Sequence, residues 1–321
     1  MEDAKTWTVG IVGCGHAGAH HAPAFAAQPG FELAGCASRR QETARAFGAR
    51  HGADAYASPE ALLDDDDVDV VVLTTPEWVR LELLEDALRR GRHLFVEKPL
   101  YAANGAKDVR EQDHLDARRA LTAWDRERTT FGVNFNYRTM PHLRQLKADV
   151  EAGRLGEVKV VRAWAHFACW PHVIDQLRWL LGEVESVAAL SLGGQLDRVA
   201  TLRFADGPIG TLCGTSGRFE RASLLRIELD GTAARATVEG VHGSYRRDDE
   251  GGGDSVVWTN PDVAGQVYAT SYTDSIAAYC AALRAGEPPP VSGDDGLAEL
   301  AIEAAIDRSA RTGAPQRVVV D

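Results

Sequence analysis

Two hydrophobic periods alternate along the first 134 residues. Thr8–Val12, Phe31–Ala37, Val68–Leu73 and the stretch leading to Val96 are short, nearly continuous apolar runs. That is the length and composition of strands buried on both faces. Between them, Ala19–Ala27 and Val79–Arg90 have helical spacing and length. Strand and helix in alternation predict a parallel sheet with right-handed connections. Thr130–Asn134 supplies its last strand. The polar segment 102–128 reads as helical in its later part, and Asn104–Asp113 as an exposed insertion.

Beyond residue 134 the pattern changes. Pro141–Ala152 reads as a helix stopped by Gly153, followed by a strand over Val158–Phe167. His172–Gly182 reads as a helix with Pro171 in its first turn and Gly182 as its stop. Short alternating segments follow at Val187–Leu192, Val199–Phe204, Ile209–Gly214, Leu224–Leu229 and Ala236–Glu239. They predict a mostly antiparallel sheet open on one face. Asp248–Asp254 reads as a mobile hairpin tip, Tyr272–Ala285 and Leu297–Arg311 as helices, and Arg317–Val320 as a final strand. Two domains are expected, 1–134 and 135–321.

Composition narrows the function. The 321 residues are 45% hydrophobic and 26% charged, ordinary for a soluble globular protein. A net charge of −12 argues against broad nucleic-acid or anionic-membrane binding, since no positive excess attracts phosphates. The five scattered cysteines contain no Cys-x-x-Cys pair, which favours reduced thiols in a cytoplasm. No secretion signal and no membrane-length apolar run is apparent. Asp64–Asp67 reads as a solvated turn rather than a metal site, and His242 and the tryptophans as structural.

The candidate chemistry lies where strands end. Thr8–Val12 runs into Gly13-Cys14-Gly15-His16-Ala17-Gly18 and then a helix, which is the dinucleotide-binding fingerprint in its required context. Gly13 permits the tight turn, Gly15 lets backbone N–H groups approach a pyrophosphate, and Gly18 lets helix and strand pack. The first half therefore reads as a Rossmann domain. The second strand ends at Ser38-Arg39-Arg40, without the acidic residue that holds a ribose 2′-hydroxyl in NAD-selective sites. A hydroxyl and two guanidinium groups suit a 2′-phosphate, so NADP(H) is favoured over NAD(H). Thr74-Thr75-Pro76 and Glu97-Lys98-Pro99 follow two further strands, on the ligand side of such a sheet.

These motifs, in this order and spacing, resemble the Gfo/Idh/MocA oxidoreductases. The likeness continues through Phe135-Asn136-Tyr137-Arg138, Gly153-x-x-Gly156, His172-x-x-Asp175 and Ser292-Gly293-Asp294-Asp295-Gly296. It implies a C-terminal α+β domain that binds substrate and forms homo-oligomers, dimers or tetramers, through its open sheet. It also implies a small-molecule substrate, sugar-like or polyol-like, whose ketone or secondary alcohol exchanges a hydride with the nicotinamide.

The resemblance places Lys98 beside the reacting oxygen as proton donor or acceptor. An ammonium that is desolvated near other positive charge can exchange a proton near neutrality. His172 would be a second proton donor or acceptor, and Asp175 would orient substrate hydroxyls or His172. Glu97 and Lys98 would border the cofactor, and Asn136, Tyr137 and Arg138 the substrate. Arg138 has two readings, a partner for an anionic substrate or a support for the interface. Two departures stand out. The first Asp of the family's Asp-x-x-x-His-x-x-Asp pattern falls at Ala168, in a shortened segment. Glu77 and Arg80 stand where Asn and His are frequent. An imine reductase of the same fold and a non-catalytic dinucleotide-sensing regulator are the alternatives.

Overall fold

The computed structural model describes residues 5–192, 197–217, 223–251, 255–259 and 266–320. The chain divides into two compact units, each described by itself. The first comprises 1–105, 113–135 and 272–297, and the second 106–112, 136–271 and 298–321. A single cut after residue 134 does not reproduce this division. The sequence pattern marks the end of the last parallel strand but carries no sign that 272–297 returns to the first unit.

The first unit holds a six-stranded parallel sheet in the order β3-β2-β1-β4-β5-β6. Its strands are β1 (Trp7–Val12), β2 (Phe31–Ala37), β3 (Asp54–Ala55), β4 (Val70–Leu73), β5 (His93–Val96) and β6 (Phe131–Val133). The connections carry α1 (His16–Ala26), α2 (Gln41–His51), α3 (Pro59–Leu63), α4 (Arg80–Arg89) and α5 (Glu111–Leu121). Strand order reverses at β1, where β2 pairs on one side and β4 on the other. The carboxyl ends of the strands at such a reversal form a crevice. All four residues of β4 are fully buried, each contributing roughly 1.5–3 kcal/mol of hydrophobic stabilisation. Ile276, Tyr279, Cys280 and Leu283 of α8 (Gln266–Ala285) complete this core against Phe25 and Phe95.

The second unit is built on a nine-stranded sheet in the order β14-β13-β12-β11-β7-β10-β9-β8-β15. Its strands are β7 (Val158–His166), β8 (Val184–Ser191), β9 (Arg198–Phe204), β10 (Ile209–Thr215), β11 (Leu225–Gly231), β12 (Ala234–Glu239), β13 (Ser244–Asp249), β14 (Val256–Thr259) and β15 (Gln316–Arg317). Among the described residues, only β7 and β10 of this sheet pair in parallel. Helices α6 (Pro141–Glu151), α7 (Trp170–Leu181) and the part of α9 (Gly293–Thr312) from Ala298 onward bring Leu143, Leu177, Ile302 and Ile306 into the same core. Alternation along β9 turns Ala200, Leu202 and Phe204 inward and Val199, Thr201 and Arg203 outward. One face of the sheet therefore bears exposed Leu190, Val199 and Ile209.

Two elements depart from the sequence pattern. Asn104–Asp113 is not wholly exposed, because Val109 and Asp113 are buried and Asp113 accepts a bond from the Ala103 N–H at 2.9 Å. The strand pair β13 and β14 flanks the expected hairpin tip, of which 252–254 lie outside the described residues. Ser244–Asp249 is too polar to announce itself. It folds in because Tyr245 and Arg247 both reach the buried Asp149 carboxylate at 2.5 Å.

Candidate active site

The site begins with the turn after β1. The Gly13 N–H donates to Ala37 O at 2.9 Å, and Thr74 Oγ1 donates to Gly13 O at 2.5 Å. This ties the turn to the ends of both neighbouring strands. Gly13 has φ +114, which favours glycine, and a Cβ on Gly18 would stand 2.3 Å from Gly13 O. Gly15 differs, since a Cβ there would meet nothing within 4 Å. It faces a groove of about 1080 Å³ lined by the whole turn from Gly13 to Ala17. Gly15 caps α1 without any side-chain hydrogen bond. The first-turn N–H groups are thus left as donors for an anion, with the helix dipole behind them.

The same groove is lined by Ser38, Arg39, Arg40 and Thr43 at one part and by Thr74, Thr75, Pro76, Glu97 and Lys98 at another. Arg39 and Arg40 also lead directly into α2, Arg40 being its N-cap, and both are exposed. Trp78, more than half exposed, lines the groove too. Its chemistry had no motif to mark it, since its place there depends on the turn Glu77–Val79 preceding α4. Gly13 to Ala17, Thr74 to Pro76 and the two arginines fit a dinucleotide. The glycine turn and helix N-terminus would hold the pyrophosphate, and Ser38, Arg39 and Arg40 the adenosine ribose.

Lys98 is half-buried just beyond β5. A carboxylate lies beside it. Glu97 is buried, accepts from His21 Nε2 and Asn134 Nδ2 at 2.8 Å each, and accepts the Lys98 N–H at 3.3 Å. Burial opposes ionisation of this carboxyl. The His21 hydrogen bond and charge, Lys98 and Asn134 outweigh it and bring the pKa down to about 2. A positive charge also stands there, since the buried Arg80 guanidinium donates to the Glu97 and Pro99 carbonyls.

In the second unit, the turn Asn136–Thr139 and α7 bring four predicted residues together. The Tyr137 ring stacks on His172 with centroids 3.7 Å apart and planes 6° from parallel. Arg138 grips Asp175, Nε to Oδ2 at 2.9 Å and Nη2 to Oδ1 at 2.5 Å. His172 and Asp175 are both buried. Asp175 is thus paired with Arg138. Asn136 Nδ2 donates to Ser271 Oγ at 2.7 Å, which tethers the turn to α8. Ala168 lies in a single 3-10 turn, Phe167–Cys169, that joins β7 directly to α7.

Residues 7–122 match the oxidoreductase family with an NAD-binding Rossmann fold, Gfo/Idh/MocA, and residues 166–318 match its C-terminal alpha/beta domain. The chain belongs to this family. As a Gfo/Idh/MocA protein it is an NAD(P)-dependent oxidoreductase of the dehydrogenase type. It is similar to inositol 2-dehydrogenase of Rhizobium meliloti (strain 1021), with 26% identity over 330 residues, 94% of this chain and 96% of the relative. It is also similar to levoglucosan dehydrogenase of Pseudarthrobacter phenanthrenivorans, with 26% identity over 75% of this chain and 74% of the relative. A solved levoglucosan dehydrogenase in complex with NADH and levoglucosan has the same fold, with a TM-score of 0.87. Identity there is 21%, over 98% of this chain and 100% of that one.

Against the family pattern, Arg80 and Glu77 both line the groove, and Arg80 Nη1 and Nη2 donate to the main-chain carbonyls of Glu97, Pro99 and Thr75. Among the described residues no group of three or more His, Cys, Asp or Glu side chains could hold a metal ion. Among them, too, no helix is long and apolar enough to cross a membrane.

Proposed function

We propose that the protein is an NADP(H)-dependent oxidoreductase that interconverts a ketone and a secondary alcohol of a sugar-like or polyol-like molecule. The observation that carries this reading is one groove in the first unit lined by the glycine turn, by Ser38, Arg39 and Arg40, and by Lys98. Two guanidinium groups and a hydroxyl suit a 2′-phosphate, and the residues that follow β2, Ser38 to Arg40, include no carboxylate to prefer a ribose diol. The NADH bound in the structural relative belongs to that protein; the arginines here support the phosphorylated cofactor.

The nicotinamide, when bound, supplies or accepts the hydride. Lys98 gives a proton to the carbonyl oxygen in reduction or takes one from the hydroxyl in oxidation. The carboxylate of Glu97 fixes the peptide that bears it, through the Lys98 N–H. In the second unit His172, ordered by its stack on Tyr137, is the second proton donor or acceptor. The Arg138–Asp175 pair joins the 136–139 turn to α7, the helix that carries His172. The exposed Leu190, Val199 and Ile209 on the second unit's sheet support a homo-oligomer formed across that face.

Titration with both cofactors, followed by a panel of ketones, polyols and cyclic imines read by nicotinamide absorbance, tests this. NADPH should bind more tightly than NADH, and Lys98→Met should abolish turnover while cofactor binding stays. Tighter NADH binding would remove the arginine argument. Turnover of imines alone would replace the carbonyl substrate, and binding without any turnover would leave a sensor.

A further inference from the structure

The carbonyl oxygens on either side of Lys98, those of Glu97 and Pro99, both accept hydrogen bonds from one nitrogen, Arg80 Nη1. The Thr75 carbonyl accepts from Arg80 Nη2. We propose that Arg80 is the positioning residue for Lys98. Its guanidinium fastens the peptide group that enters Lys98, and the one that follows Pro99, to the loop that ends β4. This rests on the reading of Lys98 as the proton-exchanging group.

The acceptors explain why a fork is needed. The Glu97 N–H donates to Leu73 O at 3.0 Å, and Leu73 and Val96 are the last residues of β4 and β5. The three carbonyls that Arg80 binds thus lie past the strand ends, where an unpaired interior acceptor costs about 1–3 kcal/mol. A guanidinium offers five donors in a rigid plane and reaches all three. Lysine places its three donors on one atom, and histidine has one per nitrogen. Arg80 is 2% exposed, and among the described residues no carboxylate stands within salt-bridge distance of it. Burial brings its pKa down to about 10, while the charges of Glu97 and Glu77 act against that fall. A buried cation held by neutral carbonyls is a poor way to stabilise a core, where an apolar side chain of similar volume often does as well. Its specific return is geometry at Lys98.

The test uses Arg80→Lys and Arg80→His, with Leu62→Ala as a control for lost stability, since Leu62 is fully buried and does not itself line the groove. With a substrate that the wild type turns over, both Arg80 variants should lose at least about 30-fold in kcat, as small misplacements of reacting groups do. KM and NADPH affinity should stay within about threefold, a split that general destabilisation does not produce. Leu62→Ala should keep its kcat per folded molecule. A second readout needs neither cofactor nor turnover. The rate at which acetic anhydride acylates Lys98, relative to the exposed Lys159, is read by mass spectrometry and should change at least about threefold in the variants. A kcat within about twofold of wild type, or an unchanged acylation ratio in both variants, overturns the proposal. A wild type that turns over nothing defeats the catalytic reading of Lys98, and the acylation ratio still judges Arg80.

Discussion

Arg138 holds Asp175 by two parallel bonds, at 2.9 and 2.5 Å, with the carboxylate side chain wholly buried. The geometry is the planar bidentate match that arginine makes and lysine does not. Removing one partner strands the other's charge in the interior. Arg138→Ala should therefore destabilise the protein by about 3–5 kcal/mol, and Arg138→Lys should keep much of the stability while raising the substrate KM. Urea unfolding and steady-state kinetics check both. Unchanged stability in Arg138→Ala would show that the pair contributes nothing to the second unit.

Glu97 carries an acid-sensitive share of stability. Its folded pKa is depressed to about 2 from an ordinary 4.5, so the ionised form is favoured by folding. The contribution is full above pH of about 4.5 and is lost as pH falls through about 2, amounting to about 3 kcal/mol. Glu97→Gln removes that dependence. The stability gap between wild type and Glu97→Gln, measured by urea unfolding, should narrow as pH falls from about 7 to about 3. A gap that stays constant would mean the carboxylate is not held as described.

Two glycines of one motif should fail in different ways. A methyl on Gly15 meets no protein atom, whereas one on Gly18 meets Gly13 O at 2.3 Å. Gly15→Ala should keep its melting temperature and lose about tenfold or more in NADPH affinity, because the methyl occupies the approach to the pyrophosphate. Gly18→Ala should lose about 1–3 kcal/mol of stability from overpacking. Thermal melts and fluorescence titration separate them, and equal melting temperatures would refute the contrast.

The arginines after β2 should set cofactor choice. Arg39→Ala should weaken NADPH by about tenfold or more, the value of one charge-assisted hydrogen bond to phosphate. NADH affinity should hardly move. Parallel loss for both cofactors would assign Arg39 to the fold of the turn and remove its selectivity role.

The exposed sheet face should control assembly. Val199 and Ile209 are each 49% exposed on neighbouring strands. Val199→Glu with Ile209→Glu should lower the mass measured by light scattering to that of one chain, leaving each unit folded by circular dichroism. A mass unchanged from wild type would place any interface elsewhere.

The parts of the fold legible in the sequence are those decided by neighbours along the chain. Val70–Leu73 announces a strand buried on both faces, and the Gly13–Gly18 turn between a strand and a helix announces a nucleotide site. Ser244–Asp249 hides its strand, because only Tyr245 is apolar, and Tyr245 and Arg247 find their partner in Asp149, about a hundred positions away in the chain. Asp113 and Val109 look like an exposed insertion for the same reason. The same limit applies at the site. Arg80 reads as an exception to a motif until its carbonyl acceptors are known, and nothing in the sequence announces that Arg138 pairs with Asp175.

By itself the sequence determined the family, the alternation of strands and helices in the first unit, and the identity of the residues at the strand ends. Those depend on local hydrophobic period and on glycine spacing, which any reading of the chain retains. Only the tertiary structure decided that 272–297 joins the first unit, that the Glu97 carboxylate lies beside Lys98, and that Arg80 fastens the carbonyls around it. Those follow from burial. Once a carboxylate, a guanidinium or a carbonyl leaves water it must find a partner, and the partner is chosen by proximity in space rather than along the chain.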